Sequence, residues 1–122
     1  MICDAPVAIH SPGYEAEIRT ALGIVSAATG VRFTESPTGV LDFRLGDVPA
    51  NAWYTGDAII VQPAAYSTRY LTYLYVHELG HWLGMDHNHY RHSVMNTAGW
   101  PKRPAFTPRD LTEARALTAD CR

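Results

Sequence analysis

The run HELGH at residues 77–81, followed by a third histidine at His87, is the part of the sequence best suited to chemistry. Histidines four residues apart on a helix lie on the same face, one turn apart. The ring nitrogens of His77 and His81 can therefore bind one metal ion, and imidazole nitrogens bind zinc at about 2.0–2.1 Å. The spacing predicts a zinc site on a helix.

A catalytic zinc ion needs three protein ligands and one open position, so a further ligand is required. His87 is the predicted third ligand, because Gly84 lets the chain leave the helix in a conformation that a residue with a Cβ atom resists. Glu78 follows the first histidine directly, and it is predicted to act as the general base that takes a proton from zinc-bound water. These residues predict a zinc-dependent enzyme that uses activated water for hydrolysis.

The sequence offers other candidates for the position of third ligand. Asp86, His89 and His92 lie near His87 in the sequence and carry suitable ligand atoms. Glu113, in the last predicted helix, would be the third ligand in a site of the gluzincin type. In that arrangement, Gly84 and the position of His87 would have no role in metal binding.

The elements that must position these side chains can be predicted from the hydrophobic pattern. Apolar residues recur at helical spacing in three segments, and alternating, β-branched or aromatic residues mark three strands. The predicted helices span residues 13–29, 67–84 and 107–119, and the predicted strands span residues 31–36, 40–47 and 57–63. Gly84 is placed to end the second helix, and Thr107 and Pro108 are placed to begin the third. This order predicts an α+β layered fold, with residues 1–122 as a single domain.

The composition limits the classes of partner. Apolar residues make up 47% of the 122 residues and charged residues 18%, which argues against a disordered chain. The formal net charge of -2 gives no sign of the basic face that nucleic-acid binding requires. No apolar run approaches the roughly 18 residues of a membrane helix, and the start does not resemble a signal peptide. We expect neither a nucleic-acid partner nor a membrane anchor, and we expect a monomer.

The two cysteines, Cys3 and Cys121, lie almost at the two ends of the sequence. The ends of small domains are often close together, so a disulfide between these residues is predicted, with two unpaired thiols as the alternative. A disulfide would imply an oxidising compartment, since reducing compartments keep thiols reduced.

The full motif extends beyond the three histidines and carries a family resemblance. Residues 77–87 read HExxHxxGxxH, and Met95 follows eight residues after the last histidine. This arrangement resembles the metzincin clan of zinc peptidases, and within it the matrixin branch, the family of matrix metalloproteinases. The closing segment 106–111 also resembles the final helix of that family. The resemblance covers residues 70–118.

The resemblance implies a zincin-like fold with three helices and a small twisted mixed sheet of about four strands. The active-site helix would be followed by a methionine turn and a C-terminal helix, with Met95 as an apolar floor beneath the zinc and Asp110 bracing the turn. One catalytic zinc ion is expected and calcium is not, because the chain is too short for the family's structural zinc and calcium loops. The resemblance also implies protein or peptide substrates and an extracellular location.

The resemblance places an extended peptide along an edge strand of the sheet, which here would be residues 57–62. Backbone groups of that strand would hold the substrate, namely those of Ala58, Ile59 and Ile60. Asn96 stands where matrixins have a proline, so the wall of the pocket for the side chain after the cut bond is expected to differ. Trp100 falls in the segment expected to form the specificity loop.

Two functions from other classes fit part of the pattern. A family of metal-dependent endoribonucleases that matures ribosomal RNA carries three histidines at the same spacing and a similar Gly-x-Asp-His ending, as in residues 84–87. That family lacks the glutamate and the methionine turn, so Glu78 and Met95 favour the peptidase. A catalytically silent peptide-binding module on the same scaffold is the second alternative, and the intact Glu78 argues against it.

Overall fold

Five strands form one mixed sheet in the computed structural model, which describes residues 2–98 and 101–122. The strands are β1 (Asp4–His10), β2 (Arg32–Glu35), β3 (Leu41–Leu45), β4 (Ala52–Tyr54) and β5 (Ala58–Val61). The helices within these ranges are α1 (Glu15–Thr29), α2 (Thr68–Leu83) and α3 (Pro108–Leu117), with a short 3-10 turn at Ala119–Cys121. None of these helices is long and apolar enough to cross a membrane. The predicted α+β class and the three predicted helices are confirmed.

The strand order in the sheet is β2-β1-β3-β5-β4. The first three pairs are parallel, and β4 is antiparallel to β5. The predicted mixed sheet is confirmed, but it has more strands than predicted, because the hydrophobic pattern did not reveal β1 and β4. Pro6 interrupts the pattern of β1, since a proline normally argues against an interior strand. β4 has only three residues, which is too short for an alternation to be recognised.

The prediction that residues 57–62 form the edge strand is wrong. This segment contains β5, which pairs with β3 on one side and with β4 on the other. Trp53 of β4 lies opposite Ile60, so β4 separates β5 from the edge of the sheet. Ala58 and Ile59 are fully buried. The sequence pattern identifies this segment as a strand, but neither the pattern nor the family resemblance reveals which strands pair with it.

The hydrophobic core lies between the sheet and the two longer helices, α1 and α2. Ile18 and Val25 of α1 and Leu79 of α2 are fully buried. The ring of Phe43 on β3 meets the ring of Tyr75 on α2, with the two centroids 5.8 Å apart. This packing fixes α2, and therefore its HELGH run, against the sheet.

Local signals define both ends of α2 and the start of α3, and those at Gly84 and Thr107 are the ones predicted from the sequence. The Ser67 hydroxyl oxygen accepts a hydrogen bond from the Tyr70 N–H at the start of α2. Gly84 ends the helix with a φ of 104°, a left-handed conformation that favours glycine. Thr107 begins α3 with a reciprocal capping box to Asp110.

Cys3 and Cys121 form a disulfide, the pairing predicted from their positions. The bond joins the residue just before β1 to the 3-10 turn after α3, across a sequence separation of 118. The neighbouring Arg122 guanidinium donates hydrogen bonds to the carbonyl oxygens of Thr29 and Arg115. The C-terminal residues are therefore held against both α1 and α3.

Candidate metal centre

Three histidine side chains converge at one point beside α2. The Nε2 atoms of His77 and His87 are 3.1 Å apart, and those of His81 and His87 are 3.0 Å apart. Ligand atoms bound to one zinc ion in a tetrahedral arrangement at about 2.0–2.1 Å lie roughly 3.3 Å from one another. These two pairs of nitrogens therefore have a spacing close to that of a zinc site, and ligand atoms of all three histidines lie within 4.8 Å of one another, with His87 in the position of third ligand.

Hydrogen bonds decide which nitrogen is available to a metal in two of the rings. His77 Nδ1 lies 2.7 Å from the Val94 carbonyl oxygen, and His81 Nδ1 lies 3.0 Å from the Met85 carbonyl oxygen. A carbonyl only accepts, so Nδ1 carries the proton in both neutral rings and Nε2 presents a lone pair. His87 Nε2 can donate a hydrogen bond to the lone pair of only one of the other two rings. The Nε2 lone pair of the remaining ring then has no donor in the cluster. One bound cation satisfies all three nitrogens, so the residues present fit a zinc ion.

Burial keeps the histidine rings in the form that binds metal. The pKa of His77 is lowered to about 4, mainly because burial disfavours the charged ring. Burial also lowers the pKa of His81, although the hydrogen bond to the Met85 carbonyl partly opposes this effect. Both rings are therefore neutral at neutral pH in the metal-free protein, and neutral imidazole is the form that acts as a ligand.

The turn after α2 brings the third histidine back to the helix. The Gly84 N–H donates to the His81 carbonyl at 3.0 Å, and the Met85 N–H donates to the Gly80 carbonyl at 2.9 Å. These bonds end the helix and reverse the direction of the chain. Met85 is buried, whereas His87 is exposed. The metal position is therefore open to solvent on the side of His87.

Glu78 lies beside the point where the three rings meet. One of its carboxylate oxygens is 3.7 Å from His77 Nε2, and only 9% of its side chain is exposed. Burial raises the pKa of Glu78 to about 7, although a hydrogen bond from the Tyr54 N–H partly opposes this effect. A carboxyl group with a pKa near neutrality can accept and return a proton at physiological pH. A cation nearby would lower this pKa and favour the carboxylate.

Glu78→Gln is expected to stabilise the metal-free protein at alkaline pH. The group's ordinary pKa is 4.5 and its folded-state pKa is about 7, so the folded state binds the proton more tightly. The stability contributed by Glu78 is therefore fully present below pH 4.5 and is lost as pH rises through about 7. Above that range the carboxylate costs up to about 3 kcal/mol, which glutamine avoids. Thermal unfolding at about pH 5 and about pH 9 checks this, and a difference between the proteins that does not widen with pH would contradict it.

A cavity of about 670 Å³ opens over this cluster. Residues 50–54, which include all of β4, line it together with Tyr73, Thr97 and Lys102. The volume falls in the range of ligand-binding clefts, which is about 300–1,000 Å³. Sequence reasoning did not single out Lys102, because one lysine in a loop carries no spacing signal.

The predicted substrate-binding residues differ in where the structure places them. Residues 58–60 do not line the cavity. Asn96 is buried, and its side chain donates to the Tyr90 carbonyl at 2.6 Å and accepts from the Ala98 N–H at 2.7 Å. Asn96 therefore supports the loop and does not face the cavity. Trp100 lies outside the described residues.

Met95 packs directly against α2. Residues 93–96 form a turn in which the Asn96 N–H donates to the Ser93 carbonyl at 3.1 Å. Met95 is fully buried, and a Cβ atom added at Gly80 would lie 2.5 Å from the Met95 sulfur. Gly80 precedes His81 in the helix. The methionine therefore lies against the metal-binding part of the helix, and this close approach requires glycine.

Gly80→Ala is expected to lower the free energy of unfolding by about 1–3 kcal/mol, because the added methyl must displace a buried methionine. Gly23→Ala in α1 is the matched control, since nothing lies within 4 Å of the added Cβ there. That change is expected to raise the free energy of unfolding by about 0.5–1 kcal/mol, because alanine favours a helix over glycine. Chemical denaturation of both metal-free variants measures the difference, and similar effects from the two changes would refute the packing argument.

Asp110 connects the start of α3 to the turn that holds Met95. Its carboxylate accepts hydrogen bonds from the Ser93 hydroxyl, from the Val94 N–H at 2.9 Å and from the Thr107 N–H at 3.1 Å. The Val94 carbonyl in turn accepts the hydrogen bond from His77 Nδ1. Val94 of the turn thus links the buried Asp110 carboxylate to the ring of His77.

Asp110→Asn is expected to weaken zinc binding about tenfold, because loss of support behind a ligand typically costs about 10- to 100-fold. An amide offers one acceptor oxygen in place of two, so the three donors around it cannot all remain satisfied. Glu113→Gln is the matched control, since it neutralises an exposed carboxylate on the same helix. Competition against a chromophoric chelator measures both affinities, and equal affinities for the two variants would argue against the link.

The alternative third ligands do not join the cluster. Among the described residues, the group of potential metal ligands whose atoms lie within 4.8 Å of one another consists of the three histidines of the motif. His89 and His92 are exposed in the loop, and Glu113 is exposed on α3. Asp86 lines the cavity but is not part of the group. The placement of Glu113 gives no support to a site of the gluzincin type.

Residues 49–108 match the matrixin family. The match runs from just before β4 to the first residue of α3, so it contains the three histidines, Glu78 and Met95. It confirms the resemblance predicted from the sequence, and the α+β fold with its mixed sheet is compatible with that family. No curated protein matches the sequence.

Proposed function

We propose that this chain, which carries a matrixin-like metallopeptidase domain, is a zinc-dependent endopeptidase. The observation that carries the proposal is the convergence of three histidine Nε2 atoms beside a buried carboxylate. Hydrogen bonds from Nδ1 leave the Nε2 lone pairs of His77 and His81 directed at one point. The cavity over this point is large enough to receive part of a peptide.

His77, His81 and His87 would hold the zinc ion, which supplies a Lewis acid and lowers the pKa of water to about 7. Glu78 acts as the general base in this proposal. Its carboxylate accepts a proton from the attacking water and later returns it to the leaving nitrogen. Burial raises the pKa of Glu78 in the metal-free protein, and a bound cation would lower it and favour the carboxylate form that accepts the proton.

The exposed edge of β4 is the proposed substrate-binding strand. β4 lies at the end of the strand order, and its residues Ala52–Tyr54 line the cavity. An extended peptide beside an edge strand gains main-chain hydrogen bonds to that strand. Trp53 is 47% exposed and offers an apolar surface to a substrate side chain. The proposed path of the peptide therefore follows β4.

The turn at residues 93–96 corresponds, in this proposal, to the methionine turn of the metzincins. Two contacts support this assignment. Met95 is buried against Gly80 of α2, and the Val94 carbonyl accepts a hydrogen bond from His77 Nδ1. The turn would then provide an apolar floor for the metal site and fix the orientation of one ligand.

Two features argue against the alternative functions. Burial of an ionisable carboxylate costs folding free energy. A catalytically silent binding module gives no reason for a buried carboxylate at Glu78, whereas a general base does. Among the described residues that line the cavity, Lys102 is the one with a lysine or arginine side chain. Nucleic acid is bound through several such contacts to phosphates, so the cavity does not suit an endoribonuclease.

The disulfide between Cys3 and Cys121 supports an extracellular location. Disulfides persist in oxidising compartments and are rare where thiols are kept reduced. Matrixins are generally secreted, in agreement with this inference.

A peptide library incubated with the zinc-loaded protein tests the proposed function. Cleavage at internal peptide bonds is expected, and mass spectrometry of the products distinguishes it from trimming at the ends. Removal of zinc with a chelator should abolish cleavage, and added zinc should restore it. Absence of cleavage by protein that holds zinc, or undiminished cleavage by metal-free protein, would overturn the proposal.

A further inference from the structure

Lys102 is the only lysine of the chain, and it lines the same cavity as His77 and Glu78. Its Nζ donates hydrogen bonds to the carbonyl oxygens of Asn96 at 3.0 Å and Ala98 at 2.7 Å. The same atom lies 5.6 Å from the centroid of the Tyr73 ring. These contacts hold the ammonium group in the wall of the cavity.

The ammonium group lacks a carboxylate partner within the part of the chain that the structure describes. Both oxygens that accept its hydrogen bonds are neutral carbonyls. No ion pair there includes Lys102, although Asp86 and Glu78 line the same cavity. An ammonium has three N–H donors, so the two carbonyls leave capacity for a third acceptor.

A purely structural role does not account for a charge at this position. A neutral amide or hydroxyl could donate to loop carbonyls without the cost of bringing a charge out of bulk water. The Lys102 side chain is half-buried in the cavity wall, whereas the neighbouring Arg103 is exposed. A substrate carboxylate would offset the cost of removing the ammonium charge from water. It would also accept a hydrogen bond from the third N–H of the ammonium group.

The ammonium group is also close to the metal-binding rings. The Tyr73 ring beneath it lies 5.7 Å from the His77 ring, centroid to centroid, and the Tyr73 hydroxyl is 3.4 Å from His77 Nδ1. A group bound by Lys102 would therefore lie near the point where the peptide bond is cut.

We propose that Lys102 recognises a carboxylate of the substrate, so that the site prefers peptides with an aspartate or glutamate side chain near the cleaved bond. The proposal rests on the proposed function, because it names the substrate class of the same cavity. A free C-terminal carboxylate offers the same chemistry as an acidic side chain. The experiment must therefore separate these two sources of the carboxylate.

The test uses matched peptides that differ in one carboxylate. One set replaces glutamate by glutamine at each position around the cleaved bond, and the other replaces a free C-terminus by its amide. kcat/KM for cleavage by the zinc-loaded wild-type protein is measured for each pair. The same pairs are bound to zinc-loaded Glu78→Gln, so that recognition is measured even where cleavage is slow.

We expect the wild-type protein to prefer the carboxylate peptide roughly tenfold at one position, the effect of one hydrogen bond to a charged group. Lys102→Met, which keeps most of the alkyl stem, is expected to reduce this ratio to near one. Arg103→Gln removes the same charge from the next residue and is expected to leave the ratio in place. A preference confined to the free C-terminus would support recognition by Lys102 but identify the terminal carboxylate as its ligand.

Cleavage of all peptides without discrimination between acid and amide would overturn the role of Lys102 and leave the proposed function intact. Discrimination that survives in Lys102→Met would also overturn it. If no peptide is cleaved but Glu78→Gln binds the carboxylate peptides better, the proposed function fails and recognition by Lys102 stands. Equal binding in that case would overturn both.

Discussion

Glu78→Gln is expected to slow peptide cleavage by roughly 10²- to 10⁴-fold, the contribution of a positioned general base, while the protein keeps its zinc. Glutamine has nearly the shape of glutamate, but its amide cannot take a proton from the attacking water. The carboxylate is 3.7 Å from His77 Nε2 and is not a member of the histidine group, so zinc binding should persist. Steady-state cleavage of a peptide and the metal content of the same sample measure the two properties.

Glu113→Gln is the control for this prediction, because it makes the same chemical change at an exposed carboxylate outside the cavity. It should cleave the peptide at the wild-type rate. Cleavage by Glu78→Gln within about tenfold of the wild-type rate would remove Glu78 from the role of general base. Loss of zinc together with activity would show instead that Glu78 supports the ligands.

Removal of the disulfide is expected to have the largest effect on stability. The bond between Cys3 and Cys121 closes a loop across a sequence separation of 118. In the chain-entropy model, a loop of that length contributes about 5 kcal/mol by restricting the unfolded chain. A small domain has a total stability of only about 5–15 kcal/mol. We therefore expect the double variant Cys3→Ser, Cys121→Ser to unfold at a much lower denaturant concentration than the oxidised protein.

Reduction of the wild-type protein with a strong thiol reductant should reproduce this loss without any change of sequence. The same reductant should not affect the double variant, which separates the disulfide from other effects of the reagent. Chemical denaturation of the four samples at fixed zinc content measures the differences. Coincident transitions for oxidised and reduced wild-type protein would contradict the predicted contribution.

The metal centre could be predicted from sequence because its geometry is local. The HELGH run lies within one helix, and a helix fixes the relative position of residues four apart. Gly84 fixes the turn that returns His87 to the same point, and its φ of 104° is the conformation for which glycine was expected. Asp110 was identified through a resemblance, and its contacts to Ser93 and Val94 give that prediction a physical basis.

The walls of the cavity could not be predicted in the same way, because they depend on contacts between distant segments. β4 is three residues long, and only its pairing with β5 makes it the edge strand. The sequence pattern predicts a strand at 57–63, and only the family resemblance suggested that residues 57–62 form the edge of the sheet. Hydrogen bonds to the carbonyl oxygens of Asn96 and Ala98 hold Lys102 at the cavity. The residues of such a loop follow no periodic pattern, so the sequence does not predict the position of Lys102.

In the proposed function, one zinc ion held by His77, His81 and His87 makes this chain a peptidase. Titration of the metal-free protein with zinc, with the rate of peptide cleavage followed at each addition, tests it most directly. The rate should rise in proportion to added zinc and level off at one zinc ion per chain, and His87→Ala should show no such rise. A cleavage rate that does not depend on zinc, or that is equal in the wild-type protein and His87→Ala, would show that a zinc ion bound by these three histidines is not required for cleavage.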